Sequence, residues 1–267
     1  MRLLKCNDIG EFSLTKDLLI SDDIPRYAIL SHTWGEDTEE VSFKDMTDGT
    51  GTNKPGYDKI RFCGERAKCD GWKYFWVDTC CIDKSSSTEL QEAINSMFRW
   101  YRNAAKCYVY LADVSNPGLD ADGKPSWKSS FRESNWFKRG WTLQELVAPE
   151  LVEFFSKEGQ HLGDKKSLEQ DIHEVTKIPV NALQGSHLSN FSLPERWQWA
   201  ENRETTRKED KAYSLLGIFE VHMPLIYGEG EEKAKKRLQE EIDKASKGKL
   251  LLIARVEVAL QYWEDIN

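Results

Sequence analysis

A glutamate and a tryptophan four residues apart, with two cations just ahead of them, are the side chains in this sequence best placed to do chemistry. They lie in the stretch Phe-Lys-Arg-Gly-Trp-Thr-Leu-Gln-Glu-Leu-Val-Ala-Pro, residues Phe137 to Pro149. Gly140 and Pro149 bracket a helix of about two turns, because both residue types punctuate regular structure and the residue before a proline avoids helical dihedrals. Leu143, Leu146 and Val147 fall at i, i+3 and i+4 and form an apolar face, while Trp141 and Glu145 share another. Lys138 and Arg139 sit where a helix amino terminus would also attract an anion. Spacing alone leaves two readings open. One is a core tryptophan next to a solvated glutamate, as on many helix surfaces; the other is a carboxylate and ring facing a ligand.

The elements that must position these residues are read from the rest of the chain. At 267 residues there is material for one large domain, or for a domain with a substantial appendage. Hydrophobic residues make up 39% and charged ones 31%, with ten Trp, nine Tyr and eleven Phe, the composition of a folded, aromatic-rich protein. A net charge of -8 argues against nucleic acid as a partner, since phosphates must be neutralised by Lys and Arg. No run approaches the roughly 18 apolar residues of a spanning helix, and the amino terminus lacks a signal-peptide segment. The expectation is a cytoplasmic protein with no membrane partner. Cys6, Cys63, Cys69, Cys80, Cys81 and Cys107 contain no CxxC pair, and five scattered histidines show no HxxxH or HExxH spacing, so no metal is expected.

Residues 1 to 15, with the turn-like Asn7-Asp8-Ile9-Gly10, predict a small edge hairpin. Arg26 to Gly35 is an apolar run ending in small polar residues, as a buried parallel strand ends at a ligand crevice. Ser31 and His32 are neighbours on that strand and point to opposite faces, so they cannot pair as nucleophile and base. Residues 36 to 56 read as a mobile loop without a phosphate-binding motif. A helix with Ile60, Gly64 and Ala67 on one face follows and ends at Gly71. Tyr74 to Asp83 predicts a second buried strand, and the capping box from Ser86 to Glu89 opens a helix over 87–103. Cys107–Asp113 and Leu151–Phe155 predict third and fourth strands, so alternating strands and helices give a parallel sheet. Beyond residue 160 the periodicity turns helical over 167–176, 206–219 and 229–246, and residues 250–267 fit helix or strand.

Four segments together resemble the heterokaryon-incompatibility (HET) domain of filamentous fungi: Tyr27-Ala-Ile-Leu-Ser-His-Thr-Trp-Gly35, Phe75-Trp-Val-Asp-Thr-Cys-Cys-Ile-Asp-Lys84, Arg139-Gly-Trp-Thr-Leu-Gln-Glu-Leu146 and Met223-Pro-Leu-Ile-Tyr-Gly-Glu-Gly230. The resemblance implies a programmed-cell-death effector of self/non-self recognition, a form of innate immunity, often joined to a receptor with nucleotide-binding and repeat domains. More remotely the chain is similar to the Toll/interleukin-1 receptor (TIR) fold. Tyr27–Ser31 looks like that fold's first strand, Trp76–Asp78 like its second, and Trp141-Thr-Leu-Gln-Glu-Leu146 like the plant pattern Trp-Cys-Leu-x-Glu-Leu. Thr142 stands where that pattern has cysteine.

The fold implied is α/β: a TIR-like parallel sheet flanked by helices over 1–160, with a C-terminal α-helical half over 161–267 packed on the same core. On the resemblance Glu145 is the catalytic residue of an NAD hydrolase, with NAD as substrate and no cofactor. Breaking the nicotinamide-ribose bond passes through an oxocarbenium-like transition state, which a carboxylate can stabilise. Ser31, His32, Thr33, Trp34, Gly35, Asp78, Asp83, Arg139 and Trp141 would line the substrate pocket, with Trp34 or Trp141 stacking on a base. Self-association would switch the activity on. Two other readings stand beside this one: a non-enzymatic module acting by self-association and recruitment, and a hydrolase using Cys80 or Cys81, for which no histidine is placed by sequence as activating base.

Overall fold

The computed structural model describes residues 1–264 except 8, 9, 20–22, 117, 120–122 and 124, and describes 249–264 by backbone alone. Its organising element is β3 (Tyr27–His32), in which all six residues are buried. A strand buried on both faces reads as an unbroken apolar run and belongs inside a parallel sheet. Around it a seven-stranded sheet assembles from β1 (Leu4–Cys6), β2 (Phe12–Leu14), β4 (Tyr74–Trp76), β5 (Lys106–Tyr110), β6 (Val152–Phe155) and β7 (His161–Asp164), in the order β2-β1-β4-β3-β5-β6-β7. The central pairs β3 with β4, β3 with β5 and β5 with β6 are parallel, as the alternation of elements predicts. The β1–β2 hairpin and β7 close the two edges with antiparallel pairs. The expected turn at Asp8 and Ile9 lies outside the described residues.

Local chemistry explains the helices that brace this sheet. Gly56–Cys69 turns out at Asp70 and Gly71, the glycine holding φ +80°, a left-handed conformation that favours glycine at a helix end. Its Gly64 lies so near Phe12 that a Cβ would stand 2.5 Å from the ring. Ser87–Asn103 begins at Ser86, whose hydroxyl accepts from the Glu89 amide at 3.4 Å. The Glu89 carboxylate, however, binds Arg2 and the Asp83 amide instead of closing the box. Phe131, Trp136, Phe137 and Phe154 pack edge-to-face at 5.1–5.6 Å, the geometry that aligns ring edges with electron-rich faces.

Several expectations change. The stretch 36–56 contains a helix, Phe43–Asp48, closed by a reciprocal Ser42–Asp45 capping box; six residues are too few for periodicity to reveal it. The second strand stops at Trp76, and Asp78–Cys81 turns into a short helix. Residues past 160 do not turn helical at once: β7 continues the sheet, so the boundary expected at 160 falls inside the β6–β7 hairpin. Ser167 does not cap the next helix. Its hydroxyl accepts from the Asp164 amide at 2.9 Å, and the helix runs Glu169–Thr176. Over 206–219 only Asp210–Tyr213 is α-helical, the rest being turns that bring Gly217 onto the Ser87–Asn103 helix. The last helix is continuous as Glu231–Glu264. No helix among the described residues is long and apolar enough to cross a membrane.

A Cβ on Gly217 would stand 2.1 Å from the Phe98 Cβ, so neither backbone can hold its place if one is added. Gly217→Ala is expected to lower the unfolding free energy by about 1–3 kcal/mol, read as a lower midpoint in urea or thermal denaturation.

Candidate active site

The carboxyl end of β3 delivers Ser31 and His32 to opposite faces, and the chain that follows adds Thr33, Trp34 and Gly35. On one face Ser31 meets the helix Thr142–Val147. Its hydroxyl donates to Glu145 Oε2 at 2.5 Å and accepts from Trp136 Nε1 at 2.8 Å. The Trp136 indole N–H takes the hydroxyl's acceptor side, which leaves the hydroxyl hydrogen for the carboxyl. All three side chains are buried, Glu145 being 3% exposed. The Tyr101 hydroxyl, donated to the Leu30 carbonyl at 3.0 Å, also lies against this carboxyl.

Burial, followed by the neighbouring Asp78 charge, pushes the Glu145 carboxyl up to about 8; Ser31, Arg139 and Tyr101 pull the other way and do not prevail. Removing a carboxylate from water disfavours its charged form more than one hydroxyl can compensate. Glu145 is therefore mainly protonated at neutral pH while the fold is closed around it. This overturns the picture of a solvated glutamate beside a core tryptophan.

The other face of β3 holds a second polar group. Trp34 Nε1 donates to Asp78 Oδ2 at 2.8 Å, and Asp78 Oδ1 stands 3.9 Å from His32 Nδ1. The opposite ring nitrogen of His32 lies 3.8 Å from Glu40 Oε2. His32 Nε2 and Asp78 Oδ1 are buried with no hydrogen-bond partner among the described residues. Burial would raise the Glu40 carboxyl, but His32, the Lys59 ammonium and the Gly35 amide hold it at about 2. Lys59 also donates to the Thr33 carbonyl at 3.1 Å, tying the strand's exit in place. The Lys84 ammonium sits 3.8 Å over the Trp34 ring, a cation–π contact that occupies the ring a ligand base would stack on.

Of the residues expected at the site, Ser31, His32, Thr33, Trp34, Gly35, Asp78 and Glu145 converge around this strand end. Three do not. Trp141 precedes the helix instead of sharing a face with Glu145, and its Nε1 donates to Asp210 at 3.1 Å, an acceptor shared with the Tyr227 hydroxyl at 2.9 Å. Asp83 accepts from the Ser85 amide at 3.0 Å and hydroxyl at 2.6 Å, shaping the turn before the Ser87–Asn103 helix. Arg139 touches its neighbours through its carbonyl, which accepts from Thr142 Oγ1 at 2.9 Å and Arg203 Nη1 at 2.8 Å; its charge alone bears on Glu145.

Sequence reasoning missed Trp136, Tyr101, Glu40 and Arg203. Trp136 lies one residue outside the stretch that drew attention, and Glu40 sits in the segment read as a loop. Arg203 donates to both Arg139 O and Thr142 Oγ1, so a residue of the C-terminal half clamps the first turn of the Glu145 helix. Burial draws its guanidinium down to about 10. The Cys80 and Cys81 thiols are buried, and burial raises the Cys80 thiol well above its ordinary value, the opposite of an activated nucleophile. Glu145 lines neither the cavity of about 480 Å³ beside Gly140 nor that of about 240 Å³ beside Met1.

The ordinary value of the Glu145 carboxyl is 4.5, against about 8 in the fold. The folded chain thus holds the proton more tightly, and the stability this contributes is present below 4.5 and lost as pH rises through about 8. Glu145→Gln, which cannot titrate, is expected to flatten that decline by about 4 kcal/mol, measured as urea midpoints between the two pH limits. Ser31→Ala leaves both Trp136 Nε1 and the carboxyl without their partner and is expected to cost about 2–3 kcal/mol in the same denaturation series.

Residues 27–125 match the family described as Heterokaryon incompatibility protein (HET). Over 244 residues, 91% of the chain, the sequence is 66% identical to the Vegetative incompatibility protein HET-E-1 of Podospora anserina. The chain spans 18% of that relative's length. No solved structure gives a significant match. The strand end carrying Ser31, His32 and Trp34, with Asp78 brought beside it, lies within the segment that matches the heterokaryon-incompatibility family, and most of the chain is similar to a vegetative incompatibility protein.

Proposed function

We propose that this chain is the effector domain of a heterokaryon-incompatibility protein, and that it cleaves NAD at the nicotinamide-ribose bond with Glu145 as its catalytic carboxylate. The observation that carries the reading is the Ser31–Glu145 hydrogen bond of 2.5 Å at the carboxyl end of a central parallel strand, the position where open α/β sheets bind ligands. A carboxyl with a strongly raised affinity for its proton, set beside a second carboxylate, is the electrostatic signature of a functional site. Family match and relative support the incompatibility role; the chemistry rests on the site and on the resemblance to TIR-like NAD hydrolases.

In the reaction the C–N bond to nicotinamide breaks heterolytically and the electron pair leaves with the neutral base. The ribose becomes oxocarbenium-like, an ionised Glu145 stabilises that charge or orients the ribose hydroxyls, and water adds to the ribose carbon and gives its proton to solvent. Glu145 is protonated and enclosed in the resting fold, so substrate entry must come with an opening that hydrates and ionises it. Self-association in the cytoplasm, driven by a partner region bearing nucleotide-binding and repeat domains, is the trigger proposed. The TIR-like architecture is part of the same proposal.

The second reading, a non-enzymatic module that kills by self-association and recruitment, is favoured by the 3% exposure of Glu145. The two separate in a nicotinamide-release assay on concentrated and on artificially clustered protein, with circular dichroism as the folding control. Turnover that rises with pH toward about 8 and falls at least about a hundredfold in Glu145→Gln is the outcome expected of the glycohydrolase. No turnover even when clustered, with toxicity retained by Glu145→Gln, would transfer the function to assembly alone.

A further inference from the structure

The cavity of about 480 Å³ lies in the C-terminal half, against the backbone of Gly140 just before the Glu145 helix. Its volume falls in the range of small-molecule sites, roughly 300–1,000 Å³. Arg203, Lys211 and Lys235 supply three cations to its wall, against the single carboxylate of Glu201. Arg203 is 5% exposed. Its Nε donates to the Trp199 carbonyl at 3.2 Å and its Nη1 to Arg139 O and Thr142 Oγ1, but its Nη2 has no hydrogen-bond partner among the described residues. A buried guanidinium edge left without an acceptor is costly, and the side chain that carries it contributes its positive charge to the cavity wall.

The two lysines stand at the open side of the same wall, their side chains 38% and 45% exposed. Both reach Glu231, Lys211 at 4.0 Å and Lys235 at 2.7 Å, so one carboxylate is shared between two ammonium groups and leaves positive charge over. The apolar part of the lining includes Trp197, whose ring is braced by Phe219 with centroids 4.7 Å apart. The Ser214 hydroxyl adds a donor to the wall.

We propose that this cavity binds a small phosphate-bearing molecule with a planar ring, the phosphate meeting Arg203, Lys211 and Lys235 and the ring lying against Trp197. A carboxylate would satisfy the guanidinium edge but not the two lysines as well, whereas a doubly charged tetrahedral group offers acceptors to all three. Because Arg203 also holds the first turn of the Glu145 helix, occupancy would draw on the same side chain that positions it. The proposal does not depend on NAD cleavage.

Phenyl phosphate is the probe, with inorganic phosphate, phenol and benzoate as its separated parts, titrated into the whole chain and followed by the Trp197 indole resonance, assigned with Trp197→Phe. Phenyl phosphate is expected to shift that resonance and to bind about tenfold tighter than any of the other three. Lys211→Gln and Lys235→Gln, both at exposed side chains, are expected to weaken it about two- to fivefold each, and Glu201→Gln to tighten it about twofold. An unmoved Trp197 resonance, an affinity indifferent to all three charge changes, or benzoate binding as tightly as phenyl phosphate would overturn the proposal. These surface variants decide the matter even if Arg203→Gln fails to fold.

Discussion

The hydroxyl of Ser31 is the point on which the centre of this molecule turns. It joins β3 to both the Thr142–Val147 helix and the Asn135–Lys138 turn, through Glu145 and Trp136. A buried hydroxyl must have both its donor and acceptor sides met or it costs more than an apolar residue would. Meeting both fixes the helix in one position along the strand, with Leu143, Leu146 and Val147 in the core. The same bond holds a carboxyl where water does not reach it. Stability and latent chemistry are therefore coupled at one residue: the enclosure that secures the helix is what keeps Glu145 protonated.

The C-terminal half is built around that arrangement and does not merely cover it. Arg203 holds the start of the Glu145 helix, while Asp210 takes the Trp141 indole and the Tyr227 hydroxyl. Glu209 accepts from the amides of Gly228 and Gly230 at 2.9 and 3.0 Å. Both glycines have left-handed φ, +97° and +84°, which a side chain would disfavour. Asn95 then pairs with both polar groups of the Met223 backbone at 3.1 Å, docking this turn on the Ser87–Asn103 helix. The Met-Pro-Leu-Ile-Tyr-Gly-Glu-Gly stretch is a structural clasp between the Ser87–Asn103 helix and the last helix, where Arg237 donates to the Pro224 carbonyl.

On the far face of β3 the logic is electrostatic. Three titratable side chains, His32, Asp78 and Glu40, are buried within 4 Å of one another in sequence from carboxylate to ring to carboxylate. Lys59 pairs with Glu40 at one end, and the Trp34 indole N–H donates to Asp78 at the other. Placing His32 on the opposite face from Ser31 follows from the period of two along a strand, and Asp78 and Glu40 meet it there from other segments. Asp78 nevertheless raises the proton affinity of Glu145 through its charge.

By itself the sequence determined what depends on local spacing: the buried strand Tyr27–His32, the divergence of Ser31 and His32, the helix from Ser87, and the apolar face carrying Leu143, Leu146 and Val147. It also singled out Glu145, by its spacing from Trp141 behind two cations, while the catalytic reading of it came from a motif. Tertiary structure decided the rest. Trp141 and Glu145 share helical spacing, yet one ends on Asp210, 69 positions away, and the other on Ser31, 114 positions away. Periodicity states which residues share a face, but the register of strands and the approach of a distant half decide what that face meets. Burial of Glu145, the clamp by Arg203 and the cavity beside it arise from contacts between segments that no local pattern connects.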